Sequence, residues 1–337
     1  MDEITSTRMN HGIDPALHVW GWEIPVYLYL GGIVAGLMIL AGYHILKAGR
    51  QQEKVSYPYA PVLGVVLLSL GMGALFLDLA HKVQVWRLYT TFAITSPMSW
   101  GSWILQLVYP ALIAAAILHP PERVPFGQAL LARVRGWSAW LHDRPRLVQT
   151  IGLANLGLGI ALGIYTGILL GAFGARPLWN SAILGPLFLF SGLSTAAALM
   201  HLLAMVQRRG IDDDGYADAL LAGVFRLMDP THCRHIMMRF DASFLTIELA
   251  IIALWLIGLV SGSAVQQQAA ALILGGAWTA AFWAGVVILG ILMPLLLQGL
   301  ELAGRIRHTV IPAILVLAGG FILRWVLVGA GQATGWN

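Results

Sequence analysis

The chain has 337 residues, of which 58% are hydrophobic and only 11% charged. A soluble domain carries about a quarter charged residues, so this composition excludes a water-soluble fold. The formal charge of +4 does not point to nucleic acid, because the basic residues stand in short runs between apolar stretches. Cys233 is the single cysteine, which excludes an intrachain disulfide and a four-thiolate iron–sulfur cluster held by this chain alone.

The first twenty residues are polar and lack the basic-then-apolar pattern of a cleavable signal peptide, so the first apolar stretch is expected to act as its own insertion signal. A bilayer core about 30 Å thick takes roughly 20 apolar residues per helical crossing. Stretches of that length recur at 24–46, 58–80, 100–118, 147–171, 181–206, 242–260, 275–297 and 309–330. They predict an all-α integral membrane protein, a single polytopic domain over 1–337, with eight transmembrane helices arranged as two four-helix bundles.

Eight crossings put both termini on one side. That side carries Arg8, Lys82, Arg87 and Arg176. The other carries Lys47, Arg50, Lys54, Arg123, Arg133, Arg135, Arg144, Arg146, Arg208, Arg209, Arg226, Arg234, Arg239, Arg305 and Arg307. The positive-inside rule makes the second side cytoplasmic, so both termini are expected in the periplasm of a bacterial inner membrane, with Trp20, Trp86, Trp100 and Trp179 in the interfacial belt. Two cytoplasmic loops are long enough for structure of their own. In 126–142, Leu130, Val134, Trp137 and Leu141 recur at helical spacing beside Arg133 and Arg135, which predicts an amphipathic helix on the membrane surface. A second loop helix is expected at 215–228, after the acidic run Asp212 to Asp214.

Small residues line two spans: Gly152, Asn155, Gly159, Gly163 and Gly167 in the fourth, Gly32 and Gly36 in the first. They read as helix-packing positions, and no strand precedes them to make a dinucleotide loop.

Polar groups in hydrocarbon are costly and few. One set falls near the periplasmic ends: Glu23 and Tyr27 on span one, Asp78 and His81 ending span two, Tyr165 on span four and Arg324 on span eight. Carboxylate, imidazole and phenol groups of this kind can bind the carbonyls of a quinone and exchange its protons. The alternative is a structural Asp78–Arg324 ion pair with the tyrosines as headgroup anchors, and the two are compatible. A second set, Ser191, Ser194 and His201 on span five with Glu248 on span six and His44 ending span one, lies toward the cytoplasm; it is either a proton route or a group of interhelical hydrogen bonds. His44 and His201 do not repeat as the paired histidines of a haem stack. His232, Cys233 and His235 beside Asp229 match metal-ligand spacing only loosely and read as a solvated loop.

Several blocks together resemble the NrfD family, which includes the membrane subunit of polysulfide reductase. They are Trp20-Gly-Trp-Glu-Ile-Pro-Val-Tyr-Leu-Tyr-Leu-Gly-Gly32, Leu77-Asp-Leu-Ala-His81, Thr95-Ser-Pro-Met-Ser-Trp-Gly-Ser-Trp103, Tyr165-Thr-Gly167, Pro177-Leu-Trp-Asn180, Ser191-Gly-Leu-Ser-Thr-Ala196, Gly319-Gly-Phe-Ile-Leu-Arg324 and Gly331-Gln332. The resemblance implies a quinone-reacting anchor subunit of a respiratory oxidoreductase. It would pass electrons between menaquinone or ubiquinone and a ferredoxin-like iron–sulfur subunit on the periplasmic side, with a catalytic subunit such as a molybdopterin oxidoreductase beyond. No haem or cluster is expected in this chain. The family's motif aspartate after span two matches Asp78 and its span-one polar position falls near Tyr27; with the polar set above, Asp78, His81 and Tyr27 are expected as the catalytic proton-handling groups, and Glu23, Tyr27, Asp78, Trp100, Tyr165 and Arg324 as quinone-binding. Where many relatives read Asp-Leu-Gly-Arg, this chain has Asp78-Leu-Ala-His81, and a histidine still donates a proton. Eight spans match the polysulfide-reductase type. A secondary transporter would show paired broken helices in symmetric halves, and no internal repeat stands out; a purely structural anchor would bind no quinone.

Overall fold

A computed structural model describes residues 20–51, 60–79, 81–120, 128–208 and 230–334. Among them no strand occurs, and eight helices are long and apolar enough to cross a membrane: Glu23–Lys47, Ala60–Asp78, Pro97–Leu118, Pro145–Gly171, Leu184–Leu203, Ile236–Val260, Ala281–Leu302 and Ile311–Gln332. They are spans one to eight below. Spans one, three, five and seven start at one face of the molecule, the first face; their other ends define the second face.

The eight spans form two rings of four. Span one packs on two and four, and span three on two and four; span five packs on six and eight, and span seven on six and eight. Spans one, four, five and eight join the rings. The crossings are close because glycine removes the side chain where helices meet. A Cβ on Gly36 would run into the Gly192 carbonyl oxygen and Ala196 of span five, and Gly290 of span seven lies against the backbone of Gly319 in span eight.

Three features depart from the apolar pattern. Span six belongs to a longer helix, Pro230–Val260, so the backbone of residues 232, 233 and 235 is helical and not a loop; Asp229 lies outside the described residues, as does the predicted helix at 215–228. A capped helix, Ala264–Leu274, precedes span seven, with Ser263 and Gln266 exchanging backbone and side-chain hydrogen bonds at its start. Span seven therefore begins later than hydropathy predicts, at Ala281. Its first half, Ala281–Leu292, is wound as a π-helix, and Pro294 sits two residues after it. Span seven then stops at Gly304, whose φ of 71° is the left-handed conformation that closes a helix. Glu301 holds the following loop by accepting from His308 Nδ1 (3.0 Å) and from the Thr309 amide and hydroxyl (both 3.1 Å).

The predicted surface helix exists as Gln128–His142 at the second face, but its buried stripe differs from the predicted one. Leu131 and Ser138 face the bundle, the Ser138 hydroxyl donating to the Leu118 carbonyl at 2.8 Å. Leu130 and Trp137 point outward. The apolar stripe is wide enough to serve two surfaces, protein on one side and lipid on the other.

Candidate functional site

Two polar groups inside the bundle are candidates, and they lie in different rings. The first begins with Tyr27, buried one turn into span one. Tyr165 of span four and Tyr89 of the loop after span two are near enough to act electrostatically on it, and Tyr109 of span three acts on Tyr89 in turn. Burial, and then Tyr109, hold the Tyr89 phenol above its usual range, so it is a donor and not an acid at neutral pH. The Tyr109 hydroxyl shares a hydrogen bond with Ser69 at 3.3 Å, and Gln106 Nε2 donates to the Tyr89 carbonyl at 2.9 Å. Ser69 and Gly73 of span two are exposed, and a Cβ on Gly73 would meet nothing within 4 Å. This tyrosine line thus reaches an open, lipid-accessible face between spans two and three.

The local sequence explains how it is held. In Thr95–Trp103, the Ser99 hydroxyl accepts from the Ala93 amide (2.9 Å) and donates to the Thr91 carbonyl, while Trp100 Nε1 donates to the Ile94 carbonyl (2.9 Å). These bonds fold the loop onto the start of span three. Gly101 then leaves room for the Tyr165 ring, whose hydroxyl occupies the space a Cβ would take.

Of the residues predicted at this end, the structure brings Tyr27 and Tyr165 together. Asp78 is half-buried as the last residue of span two, and His81 is exposed three residues on. Trp100 is engaged in the loop fold, and Glu23 folds its carboxylate over Gly21. Tyr89, Tyr109, Ser69 and Gln106 are not among the predicted residues. Hydropathy gives no signal for them, since phenols and a serine hardly interrupt an apolar run.

Arg324 belongs to the second group. It is fully buried; Nη1 donates to Ser191 Oγ (2.6 Å) and to the Gly320 carbonyl (2.9 Å), and the guanidinium stands 5.2 Å from the Phe188 ring. Gly32 makes the space, because a Cβ there would come within 2.9 Å of Nη2. Glu248, also buried, is the carboxylate that acts on Arg324, and it accepts from Ser194 Oγ at 3.0 Å. The carboxylate that faces Arg324 is therefore Glu248, with Ser191 and Ser194 of span five bonded to one and the other and no direct ion pair between them, and not Asp78, which ends span two.

Seven residues from Glu248 on the same helix, hence about 10 Å toward the second face, is buried Asp241, bonded to Gln298 Nε2 of span seven at 2.5 Å. His201 of span five and His44 of span one are also buried, and the His44 ring packs on that of Tyr43. Asp241 Oδ1, Gln298 Oε1 and Arg324 Nε are buried with no hydrogen-bond partner. Asp241 and Gln298 escape the sequence reading because span six is predicted to start at 242, which leaves Asp241 in a loop.

The first face is closed by a clasp. The Trp20 amide donates to Gln332 Oε1 (2.7 Å) and Gln332 Nε2 donates to the Trp20 carbonyl (3.1 Å). Arg176 Nη1 donates to the carbonyls of Gln332 and Thr334, Trp179 Nε1 donates to the Leu327 carbonyl (2.6 Å), and the Trp20 and Trp179 rings stack.

Known proteins share this sequence over almost its whole length. The chain is 28% identical over 325 residues to a protein NrfD homolog of Haemophilus influenzae, with 94% of this chain and 95% of that one aligned. It is 31% identical over 337 residues to protein NrfD of Escherichia coli (94% and 96%), and 29% identical over 332 residues to the C subunit of polysulfide reductase of Wolinella succinogenes (93% and 94%). The family model described as polysulphide reductase, NrfD, matches residues 9–335, and the chain belongs to that family.

Proposed function

We propose that this chain is the quinone-reacting membrane subunit of a respiratory oxidoreductase, with its site on the tyrosine line at the open face between spans two and three. The observation that carries this is the run Tyr165, Tyr27, Tyr89 and Tyr109, each phenol beside the next, which ends in the Tyr109–Ser69 hydrogen bond next to exposed Gly73. Phenol and serine hydroxyls suit a quinone head group, which needs donors to its carbonyls and an apolar approach from the bilayer. Tyr27 and Tyr165 would donate to the carbonyls. Asp78 and His81, where span two ends, would exchange protons with the aqueous phase. The bound quinone supplies the two-electron chemistry; the chain supplies binding, orientation and proton exchange.

The partner reading has support in the same region. Val83, Trp86, Phe92 and Ile94, in the loop that carries Tyr89, are exposed apolar residues on the first face. An iron–sulfur subunit seated there would bring its cluster close to the tyrosine line, and a catalytic subunit would complete the complex, in keeping with the Wolinella relative being named as one subunit of a polysulfide reductase. The positive-inside rule makes the basic second face cytoplasmic, which supports a periplasmic partner.

The test is quinone-dependent turnover of the purified complex. Tyr27→Phe and Tyr165→Phe each remove one hydroxyl and keep the ring. Each is expected to lower turnover about five- to thirtyfold, the loss of one buried hydrogen bond at about 1–2 kcal/mol. Unchanged turnover in both would remove the tyrosine line as the site.

A second reading concerns protons. The buried line Arg324, Ser191, Ser194, Glu248, Asp241 and Gln298, with His201 and His44 toward the second face, leads from about the depth of the candidate quinone site to the far side. Its unpaired atoms on Asp241, Gln298 and Arg324 can take further hydrogen bonds. We assign it as a proton route. In proteoliposomes with an internal pH dye, Glu248→Gln is expected to abolish any proton uptake beyond the scalar stoichiometry; uptake identical to wild type would leave the line a structural network.

A further inference from the structure

The helix Gln128–His142 at the second face presents an outer surface that neither quinone chemistry nor partner docking uses. Its inner side is satisfied: Leu131 and Ser138 face the ends of spans three and four, Leu141 joins a small apolar cluster with Ile45, Ala115 and Leu118, and Ser138 bonds Leu118. The outer side repeats basic and aromatic groups at helical spacing. Arg133, Trp137 and Trp140 stand at i, i+4 and i+7, and Arg144 follows just past the helix end. All four are exposed, Trp137 by 57% and Trp140 by 50%, and Leu130 next to them by 65%.

Arg144 completes the pattern in an ordered way. Its guanidinium carbon lies 3.9 Å from the centre of the Trp140 ring, and Nη1 donates to the Trp140 carbonyl at 2.8 Å. That bond uses one of the five N–H donors of the fork and leaves the others for a ligand. Arg133 and Trp140 are separated along the axis by about 10 Å, so two cations flank two indoles on one stripe. Asp143 is the single acidic residue of this segment, against Arg133, Arg135, Arg144 and Arg146.

This combination discriminates between occupants. Two indoles and a leucine exposed side by side are unfavourable in water but suit the boundary between headgroups and acyl chains. Guanidinium groups at that depth match phosphate, not a further apolar surface. The stripe adjoins the lipid-facing side of span four, where Leu147 and Leu153 are exposed. A protein partner would need acidic groups spaced between apolar knobs, whereas the bilayer supplies both chemistries at the fixed depth of the helix.

We infer that Arg133, Trp137, Trp140 and Arg144 form an interfacial binding site for anionic phospholipid, with an arginine at each end of the stripe attracting the lipid phosphate and the indoles between them along the glycerol and upper acyl region. Electrostatic attraction of such a lipid is worth about thirty-fold in affinity for two basic side chains.

Native mass spectrometry of the full chain, purified in detergent and titrated with phosphatidylglycerol or phosphatidylcholine, tests the inference. Wild type is expected to retain phosphatidylglycerol in preference to phosphatidylcholine, and Arg133→Gln/Arg144→Gln to lose about thirty-fold of that preference. Trp137→Leu/Trp140→Leu keeps the charge and should weaken both lipids. To separate the headgroup from a free anion, inorganic phosphate is added in excess; it should displace little of the lipid. Equal retention of the two lipids by wild type, or no change in the arginine double variant while its thermal melt stays intact, would overturn the site. Full displacement by inorganic phosphate would overturn the lipid as its ligand.

Discussion

Arg324 shows how a charge is kept inside this bundle. Nη1 of its guanidinium donates to a serine hydroxyl and a carbonyl, Nε is left without a partner, and the Glu248 carboxylate balances its charge from across the span-five serines. Replacing one member of such a pair strands the other, at about 3–5 kcal/mol. Arg324→Met should therefore lower the yield of folded complex and its melting temperature, and Arg324→Met/Glu248→Met should recover most of that loss; a double variant as unstable as the single one would rule out the pairing. Gly101 makes a complementary case, since its missing side chain is the space that Tyr165 fills. Gly101→Ala is expected to displace the Tyr165 hydroxyl and reduce quinone-dependent turnover, measured with the melt to confirm that the bundle holds. His119, just past the end of span three, is half-buried with its ring 5.8 Å from that of His142. Burial, and then His142, lower its pKa from 6.5 to about 4. The unfolded chain therefore binds this proton more readily than the folded one. Its contribution to stability is complete above pH 6.5 and is lost progressively as pH falls toward 4. His119→Gln should flatten the melting temperature against pH across that window.

At the scale of elements, glycine positions and helix winding set where the chemistry can sit. Gly36 against Gly192 brings spans one and five together, and Gly32 leaves room for Arg324 between them. Gly36→Leu must push these spans apart, a cost of about 1–3 kcal/mol or more for overpacking a tight crossing. It should appear as a lower melting temperature and a weaker yield of assembled complex. Gly73→Leu faces open space instead and is expected to leave the melt unchanged while obstructing the face beside Ser69, so turnover should fall with a raised quinone KM. The π-helix Ala281–Leu292 ends two residues before Pro294, which has no N–H for the i−4 or i−5 carbonyl, and its Gly290 lies on Gly319. The wide winding thus coincides with a tight crossing and a missing donor, and it lies in the same span as Gln298.

For the whole molecule, the charge asymmetry makes a prediction of sidedness that the fold turns into specific positions. Val83 lies on the first face and is 91% exposed, while Arg305 is exposed on the second. In a variant with Cys233 replaced by serine, Val83→Cys should react with a membrane-impermeant maleimide in intact cells whose outer membrane has been made permeable. Arg305→Cys should react only after the inner membrane is opened. The reverse pattern would invert the orientation and move the proposed partner to the cytoplasm.

Eight spans are legible in the sequence because lipid-length apolar runs need no partner to identify them, and the bias of basic residues between them predicts a sidedness. The family blocks are legible as well, and the structure gives several of them a physical role. Trp20, Trp179 and Gln332 meet in one clasp at the first face, and Ser191, Gly192, Ser194 and Thr195 meet Arg324, Gly32, Glu248 and Gly320 at another junction. Depth along each helix is also readable, because residues rise about 1.5 Å each. What hydropathy cannot supply is the rotation and neighbourhood of each helix, since an apolar run with weak amphipathicity looks the same from every side. For that reason the sequence groups Arg324 with Asp78 at similar depth, and only the packing of spans one, five, six and eight pairs it with Glu248. For the same reason Tyr89 and Tyr109 carry no signal until the packing of the first four spans brings Tyr89 beside Tyr27 and Tyr109 beside Tyr89.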